Sequence, residues 1–150
     1  MNPFEILKED HKAIRSLFEK LEPTTERALK TREEFYGKLR SELDAHARLE
    51  ETILYPTLKE IEKTRDLTLE GLEEHRLAKQ LLGELTMLPK DTEQWTAKYT
   101  VLQESVEHHL EEEEGELFKQ ARSALSKAEL DDLAARLEAE KKKQMAAGQR

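Results

Sequence analysis

The sequence predicts an all-α protein, an up-down-up-down four-helix bundle followed by a short fifth C-terminal helix. Three observations lead to this fold class. The 150 residues include only five glycines and four prolines, and aromatic residues make up 5%, a composition that suits a helical bundle better than a sheet protein. Apolar residues recur every three or four positions, which is the spacing of one buried helix face. The connections between these stretches are short, so consecutive helices are expected to run antiparallel.

The first helix begins at Asn2, whose side chain suits an N-cap, with Pro3 at the first helical position. It runs to about Glu22, because Pro23 cannot continue it. One face carries a stripe with helical spacing, made of Leu7, His11, Ile14, Phe18 and Leu21.

The second helix starts within residues 24–31 and ends in the region 61–63. Thr31 and Glu34 have the spacing of a capping box, which favours the later part of that range. Pro56 lies inside or near the last turns, where its ring and missing N–H are expected to bend the helix.

The third helix begins near Asp66 and ends before Pro89, and Gly71 is expected to loosen it locally. Asp91 caps the fourth helix, which fades around Ala121. Both helices carry apolar stripes that include polar residues, namely Leu72, His75, Ala78, Leu82 and Leu85 in the third and Leu102, Val106, His109, Glu113 and Leu117 in the fourth.

Ser126 and Glu129 form a capping box that starts the fifth helix. Residues 141–150 lack an apolar period and are expected to be frayed or disordered. The chain is therefore divided into a four-helix bundle, residues 1–125, and a short helix with a frayed tail, residues 126–150. The apolar side of the fifth helix consists of Leu130, Leu133 and Leu137.

Charge and composition exclude several classes of protein. The net charge is −8 and the basic residues are scattered, which disfavours a nucleic-acid partner. The chain has no cysteine, so neither disulfides nor thiolate metal sites are possible. No apolar run approaches the roughly 20 residues of a membrane span, and the N-terminus lacks a signal-peptide core. We expect a single-domain cytoplasmic protein without a membrane partner.

Two polar residues interrupt the buried stripe of the second helix. The stripe advances by four, three, four and three residues and consists of Leu39, Leu43, His46, Glu50 and Ile53. His46 and Glu50 therefore face the bundle core. Burying an ionised Glu costs several kcal/mol unless the carboxylate is paired or bound to a metal.

This arrangement occurs twice in the chain. A shift of 63 residues superimposes the fourth-helix motif on the second-helix motif, and a shift of 64 superimposes the third helix on the first. A single buried His is more often a hydrogen-bonded core residue than a ligand. Two repeated pairs, each with a Glu four residues after one His, reverse that preference. The candidate metal ligands are His11, His46, Glu50, His75, His109 and Glu113.

Imidazole and carboxylate groups without sulfur suit iron, manganese or zinc. Two carboxylates can bridge two ions while each ion takes two imidazoles, which leaves positions for a solvent bridge and an incoming ligand. Glu-x-x-His, the signature of ferritin-like di-iron bundles, is absent from the sequence. His-Glu-x-x-His is absent as well, which removes the helix-borne zinc peptidases.

The motifs, taken in order, resemble those of the hemerythrin-like (HHE cation-binding) family. The chain has D-H on the first helix, H-A-R-L-E-E-T-I-L-Y-P on the second, E-E-H on the third and H-L-E-E-E-E-G-E-L-F on the fourth. Together they span about Asn2 to Lys119. The resemblance implies a four-helix bundle that holds a non-haem centre of two iron ions with a solvent-derived bridge.

The resemblance also implies a role for each candidate ligand. The histidines would be terminal ligands, and the two glutamates would bridge the ions. By analogy with the family, His11 and His46 hold one iron, His75 and His109 hold the other, and Glu50 and Glu113 lie between them.

Two positions depart from the oxygen-carrying members of the family. Those proteins have a second third-helix His where this chain has Lys79, and an Asp where it has Glu114. The internal repeat favours Glu113 as the ligand instead. Both departures resemble the bacterial four-His members, which are associated with oxygen or nitric oxide sensing, di-iron redox chemistry or repair of iron centres. Lys79 is expected to turn towards solvent or to donate a proton to a bound ligand.

The remaining polar and aromatic residues near the motifs receive less specific roles. His108 lies about 100° around the helix from His109, and we expect it on the surface or behind the ligands. Within the run 111–114, only Glu113 is in register with the buried stripe. Four aromatic residues are expected simply to pack, namely Tyr36, Tyr55, Trp95 and Tyr99. The alternative for Tyr55 is an approach to the site, which the repeat disfavours because Phe118 stands at the matching place.

The sequence therefore indicates a di-iron protein that binds or reduces a small ligand such as oxygen, nitric oxide or peroxide. The alternative is a non-catalytic, metal-dependent oxygen or redox sensor or an iron-handling module, and a metal-free structural bundle is a third possibility. An enzyme and a sensor need the same ligands and the same open site, so the sequence does not separate them. It carries no signal for a redox partner or an oligomeric state.

Overall fold

The structure, a computed structural model, describes all residues from Met1 to Arg150. It contains helices and no strands. The α-helices are α1 (Pro3–Leu21), α2 (Leu29–Leu49), α3 (Tyr55–Lys59), α4 (Glu62–Met87), α5 (Glu93–Glu112), α6 (Phe118–Ala124) and α7 (Lys127–Ala146). Two single π-helical turns, Glu50–Leu54 and Glu113–Leu117, join α2 to α3 and α5 to α6 without a break.

The helices pack as the predicted four-helix bundle. α1 contacts α2, and α4 contacts α5, while the continuous rod of α2 and α3 also packs on α4. α7 lies against α1 and α2 as the fifth helix. None of the helices combines the length and the apolar character that a membrane span requires.

The core consists of two apolar clusters separated by a polar layer. One cluster includes Phe4, Leu7 and Leu54 and is closed by α6 and α7. The other includes Phe18 and Trp95. The histidines of the two repeats lie between these clusters, so the apolar groups on either side exclude bulk water from them.

The second helix starts at Leu29, within the predicted range, but the predicted capping box is wrong. Its N-cap is Ala28, which offers no side-chain hydrogen bond, and Thr31 lies inside the helix. The buried Arg32 accounts for this start. Its guanidinium donates to the Thr24 carbonyl and to the Lys90 carbonyl, and so ties the first turn of α2 to the loops on both sides.

The third and fourth helices differ from the prediction at their ends. α4 begins at Glu62, four residues before Asp66, because the buried Thr64 hydroxyl donates to the Leu58 carbonyl across the corner. Thr92, and not Asp91, is the N-cap of α5, and its side chain accepts from the Trp95 N–H. The rod of α5 and α6 continues to Ala124, three residues beyond the predicted end.

The prediction for the chain end is partly wrong. Ser126 and Glu129 form the expected capping box, but α7 extends to Ala146 and its end is held in place. The buried Gln144 side chain donates to the Ala45 carbonyl at 2.9 Å. Arg150 donates to both oxygens of Asp10 at 2.7 and 2.9 Å. These contacts are polar, which is why an apolar period does not reveal them.

The π-helical turns begin at Glu50 and Glu113, at matching places in the repeat. In each turn a backbone N–H, from Tyr55 or Phe118, donates to the carbonyl five residues earlier. Pro56, the residue expected to bend the second helix, lies just after the first turn, but no proline accompanies the second turn. Both turns begin with two glutamates and end with a leucine, and the first glutamate of each is a candidate metal ligand. π-helical turns of this kind are frequent at functional sites.

Candidate metal centre

All six candidate residues lie in the polar layer between the apolar clusters, and none is more than 8% exposed. Their possible ligand atoms form two sets, and within each set all atoms lie within 4.8 Å of one another. The two sets share one carboxylate, and they divide the histidines into the pairs that the resemblance implies. The first set is His11, His46, Glu50 and Glu113, and the second is Glu50, His75 and His109.

Each imidazole turns its Nε2 towards a buried carboxylate. His75 Nε2 lies 3.0 Å from Glu50 Oε1, and His46 Nε2 lies 3.4 Å from the same oxygen. His11 Nε2 lies 3.2 Å from Glu113 Oε1, and His109 Nε2 lies 3.5 Å from Glu113 Oε2. Four nitrogens and two carboxylates therefore converge on one small volume.

The opposite nitrogen of every ring is held by a second carboxylate. Because a carboxylate can only accept, each Nδ1 carries a proton and donates it. Such outer partners fix the ring orientation and the tautomer, and they raise the basicity of Nε2 as a ligand. The pairs are His11 with Glu114 at 2.6 Å, His46 with Asp10 at 2.9 Å, His75 with Glu51 at 2.8 Å and His109 with Glu74 at 2.5 Å.

These pairs obey the internal repeat. Asp10 and Glu74 match under the shift of 64 residues, and Glu51 and Glu114 match under the shift of 63. The inner ligands and their outer partners thus repeat together. In each half, one histidine is held by a carboxylate of its own half, as His46 is by Asp10 and His109 by Glu74. The other histidine is held by a carboxylate of the opposite half, as His11 is by Glu114 and His75 by Glu51.

Several polar atoms in this layer form no hydrogen bond, although a nitrogen or oxygen of another candidate ligand lies close by. They are His11 Nε2, His46 Nε2, Glu50 Oε2 and Glu113 Oε1, and the fifth such atom of the chain is the Tyr99 hydroxyl. An unpaired buried polar group is costly, and four of the five belong to the candidate ligands. Nitrogen and oxygen donors at these positions fit cations that prefer mixed imidazole and carboxylate coordination.

In the metal-free protein, the buried carboxylates raise the pKa values of neighbouring imidazoles. Burial lowers the pKa of His46, but the Glu50 charge and the hydrogen bond to Asp10 outweigh it and raise that pKa to about 10. The pKa of His109 is raised well above its usual value, against burial, chiefly by the Glu113 charge. Burial raises the pKa of Glu50, but His46 and the surrounding hydrogen bonds hold it well below its usual value. The raised pKa values of His46 and His109 favour a proton on each of these imidazoles in the metal-free protein.

Comparison with known proteins identifies this arrangement. Residues 2–121 match the family described as the Hemerythrin HHE cation binding domain. The chain belongs to this family. The resemblance to hemerythrin-like proteins is thereby confirmed, and together with the buried His and Glu groups it indicates that the protein binds metal ions.

Two proteins are similar to this hemerythrin-like domain over almost its whole length. A crystal structure of a hemerythrin HHE cation-binding domain-containing protein from Mycobacterium kansasii is 26% identical, with a TM-score of 0.78, over 97% of this chain and 91% of that one. A curated Nostoc protein named DNA nickase is 28% identical over 143 residues, which are 95% of this chain but 40% of the relative. The chain therefore spans less than half the length of that relative.

Tyr55 belongs to this hemerythrin-like centre, although the sequence favoured packing for it over an approach to the site. Its hydroxyl lies 2.5 Å from Glu113 Oε2, 3.2 Å from Glu50 Oε1 and 3.4 Å from His109 Nε2. Burial and the two glutamate charges raise its pKa well above the usual value, so it stays protonated. The π-helical turn aims it at the centre, whereas its match in the repeat, Phe118, has no hydroxyl and suggested packing alone.

Gly71 also has a role other than the one expected. A Cβ at this position would lie 2.9 Å from Tyr55 Oη and 3.4 Å from His109 Cε1. The glycine thus lets α4 approach the centre closely, and its helix remains regular around it.

Lys79 turns towards solvent, which is one of the two predicted alternatives. Its side chain is 54% exposed, and its ammonium donates to Glu51 Oε1 at 2.9 Å. Arg15, the matching residue of the first helix, donates to Glu114 at 2.9 Å in the same way. Each base therefore neutralises a carboxylate that holds a histidine. His108 lies on the surface, as expected.

A cavity of about 40 Å³ lies beside the centre, between α2, α4 and α5. This volume suffices for a few water molecules or a diatomic ligand. Apolar side chains line it together with three imidazoles and the polar residues Asp44, Glu74, Lys79 and Ser105. Residues around it include Leu43, His46, His75, Lys79, Val106 and His109.

Proposed function

We propose that this hemerythrin-like domain is a non-haem di-iron protein that binds or reduces a small ligand, namely oxygen, nitric oxide or peroxide. The observation that carries the proposal is the set of unpaired, inward-facing donor atoms in a buried layer. In this assignment Glu50, which belongs to both sets of ligand atoms, and Glu113 would bridge the ions, with a solvent-derived bridge beside them. The terminal ligands are His11 and His46 for one ion, and His75 and His109 for the other.

Iron is favoured among the metals that suit these donors because of the family resemblance. When bound, the two ions would supply the electrons and the open coordination positions for a small ligand. The protein supplies the surroundings. Its apolar cavity admits a diatomic molecule and excludes bulk water, while the outer carboxylates hold the imidazole rings in place.

Tyr55 is the residue best placed to handle a proton in this function. Its hydroxyl donates to Glu113 at 2.5 Å and lies near Glu50. Because burial and both carboxylates keep it protonated, it holds a proton beside the centre that can be shared with an incoming ligand through Glu113. This donor is present on the His75 and His109 side alone.

A metal-dependent sensor or an iron-handling module remains the alternative, since it needs the same ligands. The activity in the name of the Nostoc relative is not proposed for this chain. That protein is more than twice as long, and a net charge of −8 repels the phosphate backbone of DNA. The proposed partner is a small molecule and neither a nucleic acid nor a membrane.

The proposal is tested by metal analysis and optical spectra of protein reconstituted anaerobically with ferrous iron. We expect two ions per chain and a spectrum that changes on adding oxygen or nitric oxide. His46→Ala and His109→Ala should each lose at least one ion. Glu111→Ala, an exposed neighbour in the same acidic run, is the control and should retain both. Wild-type protein with less than one ion per chain would contradict the di-iron assignment.

A further inference from the structure

A second group of metal-ligating side chains lies on the surface outside His109. Possible ligand atoms of Glu74, His108 and Glu112 all lie within 4.8 Å of one another. His108 Nε2 is 3.1 Å from Glu112 Oε2, and these side chains are 67% and 36% exposed. Solvent therefore reaches the group. Glu74 also holds His109 Nδ1 at 2.5 Å, so this surface group touches the buried centre directly.

A narrow gap of about 10 Å³ connects the surface group with the buried centre. That volume admits about one water-sized particle. The outer wall of the gap carries the carboxylates of Glu70, Glu74 and Glu112, and its inner wall carries the buried candidate ligands His109 and Glu113. Its polar lining consists of Tyr55, Glu70, Glu74, His109, Glu112 and Glu113.

The gap carries uncompensated negative charge. None of its lining residues is a lysine or an arginine. Four glutamates line it, namely Glu70, Glu74, Glu112 and Glu113, against the one imidazole of His109. Carboxylates that repel one another at the mouth of a polar gap attract a cation from solution.

The other half of the repeat shows what fills the equivalent place. There Asp10 takes the position of Glu74, and Arg150 and Lys141 donate to it at 2.7 and 2.9 Å. The residue that matches His108 is Ala45. In the first half, Arg150 and Lys141 thus neutralise the Asp10 carboxylate. In the second half, the equivalent Glu74 carboxylate lies beside the His108 imidazole.

We propose that Glu74, His108 and Glu112 form a loading site that captures a hydrated divalent cation and passes it through the gap to His109 and Glu113. This inference rests on the proposed function, because it assumes that the buried layer holds metal ions. The captured ion exchanges water for carboxylate and imidazole ligands at the surface, and then for the inner ligands. The half closed by Arg150 has no such route.

The rate of ferrous iron uptake tests the loading site. Metal-free protein is mixed anaerobically with limiting Fe²⁺, and uptake is followed by stopped flow against a colorimetric chelator for the free ion. We expect His108→Ala and Glu112→Gln to slow uptake by roughly tenfold or more, with the final iron content unchanged. Glu111→Gln removes the same charge from an exposed position outside the gap, and it should load at the wild-type rate.

The outcomes separate this inference from the proposed function. Wild-type protein that never retains iron would overturn the di-iron assignment itself. Wild-type protein that loads two ions, but no faster than His108→Ala and Glu112→Gln, would overturn the loading site alone. If Glu111→Gln slowed iron uptake to the same degree, the effect would come from the overall negative charge of the protein. That result would also overturn the loading site.

A direct binding measurement complements the rates. In protein whose centre is already filled with Zn²⁺, substoichiometric Mn²⁺ should broaden the imidazole NMR signals of His108. Glu112→Gln should weaken this broadening, and Glu111→Gln should leave it intact. Absence of broadening in the wild-type protein would show that the surface group does not capture a divalent cation.

Discussion

Tyr55 and Phe118 occupy matching places in the repeat, and they show how a single atom distinguishes the two halves. Tyr55 stacks on His75 with ring centroids 5.3 Å apart, and Phe118 stacks on His11 at 5.9 Å. The packing is therefore duplicated, but the hydroxyl is not. The centre thus has two similar pairs of histidines, and only the pair beside Tyr55 has a phenolic hydroxyl next to it.

Gly71→Ala is expected to destabilise the metal-free protein by about 1–3 kcal/mol, as overpacking of a core does. The added Cβ would lie 2.9 Å from Tyr55 Oη, and the buried Tyr55 is held by Glu113 and cannot move freely. In an open helix position the same change stabilises by about 1 kcal/mol. The sign of the change in unfolding free energy, measured by chemical denaturation, therefore identifies the clash.

Gly83→Ala is the matched control on the same helix. An added Cβ there meets no atom within 4 Å, so we expect a gain of about 0.5–1 kcal/mol. A Tyr55→Phe background removes the closest contact and should reduce the cost of Gly71→Ala. An equal cost in both backgrounds would place the strain elsewhere.

The sequence predicted the buried histidines and glutamates of the centre, but it did not predict which carboxylates hold the Nδ1 atoms of the histidines. His46 and Glu50 interrupt an apolar stripe and recur in the repeat, so their buried position followed from spacing. Glu114 was assigned to a solvated face, yet it holds His11 from a helix 103 residues further along the chain. Helical spacing reports which face a residue occupies, and it does not report which residue of another helix lies opposite.

The π-helical turn at Glu50 explains why helical spacing did not place the Tyr55 side chain at the centre. A regular α-helix continued past Glu50 would rotate every later side chain relative to its place in the structure. The turn adds one residue to the hydrogen-bonded ring, since Tyr55 N–H donates to the Glu50 carbonyl, and so turns Tyr55 towards the centre. Proline alone does not predict the turn, because the equivalent one lacks it.

The end of α7 is the element whose contribution to the centre is most readily measured. Arg150 is 7% exposed and donates to both oxygens of Asp10, which holds His46. Arg150→Gln is expected to lower the free energy of unfolding by about 1.5–3 kcal/mol, because the buried Asp10 carboxylate loses its bidentate charged donor and keeps only Lys141 and His46. Chemical denaturation with far-UV circular dichroism measures this change.

Arg136→Gln in the same helix is the control for that prediction. Arg136 forms an exposed pair with Asp132, and exposed pairs contribute about 0–1 kcal/mol. Equal effects of the two substitutions would show that the Arg150 contact does not hold α7 against the bundle. The sequence missed this contact because a bidentate ion pair leaves no apolar period.

In the whole molecule, a polar layer divides an otherwise apolar interior, and this couples metal binding to folding. Ions that bind only the folded chain stabilise it by mass action, and here they also satisfy buried atoms that otherwise lack partners. We expect the metal-loaded protein to melt clearly above the stripped protein in calorimetry. The double variant His46→Ala/His109→Ala should show little difference, whereas identical wild-type curves would contradict a buried metal site.

The stabilisation by metal is expected to grow as pH rises from about 6 to about 8.5, because protons and metal ions compete for the same imidazoles. In the metal-free protein the pKa of His46 is raised from 6.5 to about 10, and the pKa values of His75 and His109 are raised as well. A raised pKa means that the folded chain holds protons that the unfolded chain releases. Its contribution to stability is complete below pH 6.5 and is lost as pH rises towards 10.

The metal-loaded protein lacks this loss, since its imidazoles carry metal in place of protons. Its melting temperature should hold nearly level above pH 6.5 while that of the stripped protein declines, so the gap between them widens. Calorimetry on sealed anaerobic samples at a fixed concentration of free metal measures the gap at each pH. A gap that stays constant, or narrows, would mean that the buried imidazoles do not exchange protons for metal, and that the ions bind elsewhere on the chain.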